Sequence, residues 1–318
     1  MVYKVNSPIL FLAFNRLDTT QRVFETIASV QPDRLYIACD GARTNRENED
    51  AKVNEVREWL MSNVNWKCEV KTLFREDNLG CKLAVSGAIT WFFEQEEMGI
   101  ILEDDCLPSV SFFMYCDELL NKYRDNPTIM SISGTNHFDN DLPYKESYHF
   151  SGNFHCWGWA SWRRAWSKYD IDLKAWPAFR KSYGLAKLPH SNILFVRYWT
   201  RIFDLLEKGI IDTWDYQMIL TVWRNAGLCI SPARNMISNI GFSEEGTHTL
   251  DSSHRNSNRK KESLSFPLVH VQEVRQNVEL DKLENKVCYE ITWRSEINSA
   301  VRRRLSRIKQ SLIRTFLK

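Results

Sequence analysis

Short apolar runs alternate with longer amphipathic stretches through the first hundred residues. Residues 8–15 (PILFLAFN), 34–42 (RLYIACDGA), 66–76 (WKCEVKTLFRE) and 99–105 (GIILEDD) have the length and apolar content of strands. Between them, residues 19–30, 48–63 and 80–94 read as helices, the first with Asp18 or Thr19 as its N-cap. Strands and helices alternating at this length predict right-handed βαβ units. The expected fold class is therefore α/β: a Rossmann-like, mostly parallel sheet covered by helices on both faces. Further helices are expected at 109–123 and from Thr213.

The polar residues fall where such a sheet binds ligands, outside the carboxyl ends of its strands. The first run ends at Asn15 and Arg16, the second at Asp40 and Gly41, and the fourth in Glu103, Asp104 and Asp105. Three adjacent carboxylates raise one another's pKa unless a positive charge stands among them. Mg²⁺ or Mn²⁺, held by one or two carboxylates and completed by phosphate oxygens and water, would supply that charge. The plainer alternative is a solvated acidic turn ahead of the helix at 109–123, since acids also favour a helix N-terminus.

Composition adds boundaries. A chain of 318 residues, 43% hydrophobic and 26% charged, suits one large domain or two modest ones. No apolar run approaches the roughly 18 residues of a membrane-spanning helix. The start lacks the basic flank and cleavage site of a signal peptide. Eight cysteines are scattered singly with no CxxC pair, which predicts reduced core residues in a cytoplasmic protein. The charge is unevenly placed: seven of the 42 basic residues lie within 301–318, and the rest of the chain has 35 against 40 acids, about −5.

The segment LEDDCLPSVSFF (102–113) resembles the metal-binding segment of the GT-A-fold glycosyltransferases. The likeness is closest to the group around N-acetylglucosaminyltransferase I, where Glu-Asp-Asp stands in for Asp-x-Asp. Other segments agree in order: AFNR (13–16), ACDG (38–41), CWGWASW (156–162), TWDYQ (213–217) and NIGFSEEGTHT (239–249). The resemblance covers roughly residues 7–250. It implies a metal-dependent, inverting glycosyltransferase of the bacterial surface-glycan type. The implied donor is a nucleotide sugar, a UDP-sugar such as UDP-N-acetylglucosamine, and the implied acceptor is a saccharide or lipid-linked glycan.

Residue roles follow from the same resemblance. Asp40 would accept a hydrogen bond from the base, with Arg16 nearby. Glu103 and Asp104 would face the donor's sugar and ribose hydroxyls, and Asp105 would be the direct metal ligand. Trp159, among the indoles of Trp157 and Trp162, would stack on a sugar, although alternating spacing fits a core cluster as well. Trp214 would wall the donor pocket. Asp215, in the first turn of the helix from Thr213, is the expected general base, with Asp212 the runner-up. The family's pattern there is Trp-Asp-Asp-Trp, and Tyr216 stands at the second Asp. His248 would reach the metal or the diphosphate.

The domain reading places the catalytic unit at 1–250, with a nucleotide-sugar half at 1–107 and an acceptor half at 108–250. A loop or linker follows at 251–265, whose Arg255, Arg259, Lys260 and Lys261 suit a diphosphate. A C-terminal extension occupies 266–318, beginning with an expected strand at 266–272. Within it Ile297, Val301, Leu305, Ile308, Leu312 and Phe316 recur at three and four among basic residues. That pattern predicts a basic amphipathic helix, docked on the domain or lying on the anionic inner face of the cell membrane. No nucleic-acid module is recognisable. Two rival functions remain: a sugar-nucleotide nucleotidylyltransferase, and a noncatalytic carbohydrate-binding scaffold of the same fold. FLAFNRLDTT has no glycine for the phosphate loop the first requires.

Overall fold

The computed structural model describes residues 3–138, 142, 144–242 and 257–294. The strands β1 (Ile9–Ala13), β2 (Arg34–Cys39), β3 (Glu69–Phe74) and β4 (Met98–Glu103) lie parallel in the order β3-β2-β1-β4. Three helices connect them: α1 (Leu17–Val30), α2 (Glu49–Asn63) and α3 (Gly80–Gln95). The expected βαβ units are therefore present, with ends shifted by a few residues.

Beyond β4 the chain forms β5 (Cys106–Pro108), α4 (Val110–Lys122), β6 (Ile129–Ser133), β7 (Tyr148–Ser151) and β8 (Trp159–Trp162). After α5 (Arg163–Trp166), α6 (Trp176–Lys181), α7 (Ile193–Glu207) and α8 (Asp215–Arg224) come β9 (Leu228–Pro232), β10 (Ile237–Asn239) and α9 (Val278–Val287). The sheet continues without a break from β4 through β8, β6 and β9 to β7. Its second half is mixed: β8 is antiparallel to β4 and β6, β9 is parallel to β6, and β7 is antiparallel to β9.

The central strands are apolar at nearly every position because both faces are covered. In β1, Ile9, Phe11 and Ala13 join one core with α1, α2 and α4, while Leu10 and Leu12 join another with α3 and α5 to α8. Strand alternation produces this division. Each fully buried Leu, Ile or Phe contributes about 1.5–3 kcal/mol, and these two cores hold the strand ends rigidly enough to carry a site.

Two expectations are corrected here. Residues 266–272 form no strand; Ser147 and Val269 exchange one backbone hydrogen bond (2.8 Å), and the only bridge nearby joins Phe150 to Gln276. The tryptophans do not alternate as one strand. Gly158 has φ +59°, and a Cβ there would collide with Ile237. That left-handed step turns Trp157 toward the α4 side while Trp159 enters the opposite core. Residues 257–264 are tied down: Asn258 N–H donates to Asn239 O (2.9 Å), and Glu262 N–H to Asn235 O (2.7 Å). No helix among the described residues is long and apolar enough to cross a membrane. The expected basic helix at 297–318 lies outside the described residues.

Candidate functional site

The carboxyl ends of β1, β2 and β4 open onto one crevice. Glu103 is the last residue of β4, in register with Leu12 of β1, so the acids leave the sheet beside the loop that follows β1. Asp104 fixes that loop by accepting from Phe14 N–H (3.2 Å). Arg16 spans the acids, donating to Asp104 Oδ1 at 2.6 Å and to Asp105 Oδ2 at 2.9 Å. The positive charge required among these carboxylates is thus supplied first by the protein itself. This places Arg16 against the acids rather than beside a base.

The electrostatics follow the geometry. Burial disfavours the Arg16 charge, but Asp104 and Asp105 outweigh it and raise its pKa. Asp104 is pushed up to about 6 by burial, with Arg16 opposing the rise. Glu103 is raised well above the usual carboxylate range by burial, then by Asp105, Asp104 and Asp215. The Glu103 carboxylate makes no hydrogen bond or ion pair among the described residues, and the residue is partly buried at the carboxyl end of β4. Asp104, only 4% exposed with both oxygens engaged, is turned inward. Its contact with a ribose would require Arg16 or Phe14 to share it.

A small antiparallel ribbon sets the position of Asp105. β5 pairs with β10, Cys106 opposite Asn239. This brings Ile240 N–H onto Asp105 O (2.8 Å) and Gly241 against the side chain. A Cβ at Gly241 would collide with Asp105 Oδ2. The start of the segment 239–249 therefore reaches the acids, while His248 lies outside the described residues.

Asp40 is buried at the end of β2. Its Oδ2 accepts from Leu79 N–H (2.9 Å) and Gly80 N–H (3.2 Å) at the start of α3, and its Oδ1 has no partner among the described residues. Burial raises its pKa. One oxygen holds the fold, and the other is enclosed without a partner among the described residues. Around it, Arg43 lies 5.4 Å from the Phe14 ring centroid and pairs with buried Glu49, which also accepts from Asn15 Nδ2 (3.0 Å). The sequence reading missed Arg43 and Glu49, because their pairing across a loop leaves no periodic signal.

The opposite wall is α8. Asp215 stands in its first turn, as expected, and accepts from Thr213 Oγ1. Its charge reaches Glu103 and also Cys81, whose pKa is raised by burial and then by Glu103, Asp215, Asp212 and Asp105. Cys81, the second residue of α3, is half-buried among these acids and not in the core, where the scattered cysteines are expected. The rule that sites lie beyond strand ends, applied to the loop after β3, would have found it. Asp212 is exposed, its Oδ2 3.6 Å from where a Cβ on Gly80 would stand. Tyr216 packs edge-on to Trp199 at 5.7 Å.

Trp159 and Trp214 need correction. Trp159 is 0% exposed and Trp214 3%, and they stack on each other at 5.8 Å between Phe154 and Trp166. Neither offers a face to a sugar; they support α8 from below. Trp157 is the partly exposed indole of the three, edge-on to Phe242 at 5.8 Å. Arg259 and Lys261 donate to Phe138 O and Pro108 O (both 2.9 Å), which engages two cations expected to meet a diphosphate. Arg255 is outside the described residues.

The donor set fits a hard cation in a limited way. The three neighbouring carboxylates do not bring three ligand atoms together among the described residues. Asp105, partly exposed, shares Oδ2 with Arg16 and has Gly241 against its side chain. One carboxylate plus phosphate oxygens and water is an ordinary Mg²⁺ or Mn²⁺ arrangement.

No protein-family model matches the chain, and no curated protein matches it in sequence. Among solved structures it is similar to HddC from Yersinia pseudotuberculosis, at 10% identity and TM-score 0.31, over 50% of this chain and 77% of that one. It is also similar to an apo UDP-glucose pyrophosphorylase, at 8% identity and TM-score 0.33, over 73% and 93% of the two chains. Mouse xyloside xylosyltransferase 1 in its apo form gives 11%, 0.31, 69% and 81%. The chain's own topology is the α/β, Rossmann-like sheet expected from its sequence, with its acids gathered at the carboxyl ends of the strands.

Proposed function

We propose that the protein is an inverting, metal-dependent glycosyltransferase that uses a nucleotide-sugar donor and a saccharide acceptor. One observation carries this reading: Asp104 and Asp105, directly after β4, hold Arg16 between them beside Glu103, and Asp215 in the first turn of α8 adds its charge to the same group of acids. Carboxylates on two walls of one crevice divide the work of holding a donor from that of activating an acceptor.

In this reading Asp40 accepts a ring N–H of the base, which uracil, thymine and guanine carry and cytosine does not, and Asp105 would hold Mg²⁺ or Mn²⁺, with His248 the sequence's candidate for a second ligand. When bound, the cation offsets charge on the departing diphosphate. Glu103 accepts a hydroxyl of the donor sugar. Asp215 takes the proton from the attacking acceptor hydroxyl as general base, oriented by the Thr213 hydroxyl. Asp212, exposed to solvent, is the second choice. A lipid-linked acceptor agrees with the basic amphipathic pattern at 297–318 and with action at the inner face of the cell membrane.

The test is thermal-shift binding of UDP-, dTDP-, GDP- and CMP-sugars with Mn²⁺ or chelator, on wild type and Asp105→Asn, followed by product analysis. Stabilisation by one nucleotide class that needs both metal and Asp105, then transfer with inverted anomeric configuration, is the expected result. Formation of a sugar nucleotide from sugar phosphate and nucleoside triphosphate would instead identify a nucleotidylyltransferase. Binding without any turnover would identify a scaffold.

A further inference from the structure

A second polar cluster lies apart from the acids, where α9 docks against the loops that follow β6 and β7. Asp281, Glu284 and Cys288 recur at three and four, so they project from one side of α9 and its C-terminal end. Asp281 accepts from Ser151 Oγ (2.7 Å) and Gly152 N–H (2.8 Å), and Glu284 from Asn153 Nδ2 (2.7 Å). These bonds hold the helix. Next to them stand two histidines, His137 at 3% and His155 at 8% exposure, with ring centroids 4.5 Å apart.

We propose that His137, His155 and Cys288 bind one borderline-soft divalent cation of the Zn²⁺ class. Their ligand atoms all lie within 4.8 Å of one another. His137 Nε2 and His155 Nδ1 are 3.3 Å apart. Two nitrogens at about 2.0–2.1 Å from a tetrahedral Zn²⁺ are separated by about 3.3–3.4 Å, so the pair already spans one edge of such a site. The other nitrogen of His155, Nε2, lies 2.8 Å from Glu284 Oε1. A carboxylate behind a histidine fixes its tautomer and orientation and recurs behind zinc-bound imidazoles. It leaves the Nδ1 lone pair directed at His137.

Two imidazoles and a thiol are the wrong donors for Mg²⁺ and suitable ones for Zn²⁺. Binding releases one proton, from the Cys288 thiol, and His137 exchanges an Nε2–H for an Nδ1–H tautomer. The thiolate and Glu284 together balance the ion's charge, and water takes the fourth position. The metal joins α9 to the loops after β6 and β7. Tyr289, the next residue, packs on Trp199 at 5.0 Å, and Trp199 in turn on Tyr216 beside Asp215, so the pin supports the wall of the acid crevice. The inference does not depend on the glycosyltransferase reading.

The test titrates chelator-treated full-length protein with Co²⁺. One equivalent is expected to produce a thiolate-to-cobalt charge-transfer band that Zn²⁺ displaces and Mg²⁺ does not. Cys288→Ser removes the band, Glu284→Gln weakens affinity about 10–100-fold, and Asp105→Asn changes neither. Absence of a stoichiometric band, or a band undiminished in Cys288→Ser, overturns the proposal. Should Cys288→Ser fail to fold by circular dichroism, thiol labelling of wild type read by peptide mass spectrometry decides. Protection of Cys288 by one equivalent of Zn²⁺ supports the site, and labelling at an unchanged rate refutes it.

Discussion

Replacing Arg16 with methionine removes the positive charge from a group of acids while keeping much of the side-chain volume. The Arg16, Asp104 and Asp105 side chains are 17%, 6% and 19% exposed, so this is a largely buried ion-pair network. Deleting one partner of a buried pair costs about 3–5 kcal/mol, because the remaining charges stay desolvated and uncompensated. At about 2 °C per kcal/mol for a chain of this size, the melting temperature in chelator at pH 8 should fall by about 6–10 °C. The loss should depend on pH in a definite direction. Asp104 has a folded pKa of about 6 even with Arg16 present, above its unfolded value. The folded protein therefore binds more protons than the unfolded chain between about pH 4 and 6, and this group's contribution weakens as pH rises through that window. Without Arg16 the pKa moves further up and the window widens. Each further unit adds about 1.4 kcal/mol to the gap between variant and wild type at pH 8 and little at pH 5. Mn²⁺ at 100 times its Kd should return about 2.7 kcal/mol to the variant. Differential scanning calorimetry at both pH values, with chelator and with Mn²⁺, measures all three. A loss under about 1 kcal/mol that is the same at pH 5 and 8 would refute the reasoning and mark the pairs as solvent-screened.

Four other outcomes are expected. Asp215→Asn should keep metal-dependent donor binding in calorimetry while lowering kcat by about 10²–10⁴-fold; near wild-type turnover would move the role to Asp212. Gly241→Ala should weaken metal-dependent donor binding by displacing Asp105, seen as a higher apparent Kd for Mn²⁺, whereas unchanged affinity would mean that Asp105 is not the ligand. Trp159→Ala should cost about 3–5 kcal/mol in urea denaturation; an effect on KM with stability preserved would restore a sugar-binding role. His149 and His190, pushed down to about 4 chiefly by burial, should show imidazole NMR titrations near that value. Both then favour the folded state above about pH 6.5, and that contribution is lost as pH falls toward 4. Midpoints near 6.5 would show the rings to be hydrated.

The parts of the fold visible in the sequence are those with local causes. Strands β1, β2 and β4 are apolar runs with polar ends, the edge strand β3 is a mixed run between turn residues, and α8 begins where Thr213 and Asp215 together mark a helix start. The carboxyl-end rule then located Arg16, Asp40 and the acids without knowledge of any side-chain contact. Non-local pairing left no such trace. Nothing in WASW announces that β8 will insert antiparallel between β4 and β6, and nothing in CLP and ISN announces their ribbon. Trp159 was misplaced because a buried indole and a sugar-stacking indole look alike in sequence until Gly158 shows its left-handed backbone. The resemblance puts Arg16 near the base, whereas the fold sets it between two carboxylates, a contact no local pattern encodes.

The ribbon of β5 and β10 also imposes an order on biosynthesis. Asp105 and Gly241 lie 136 positions apart, so at about 5–20 residues per second the acids are synthesised about 7–27 s before the backbone that packs on them. During that interval the four parallel strands are already complete, and Arg16, translated earlier than the acids, is the cation at hand. Arg16 is thus the counter-charge available to the acids before Gly241 exists, and the full geometry belongs only to chains that have been translated past β10.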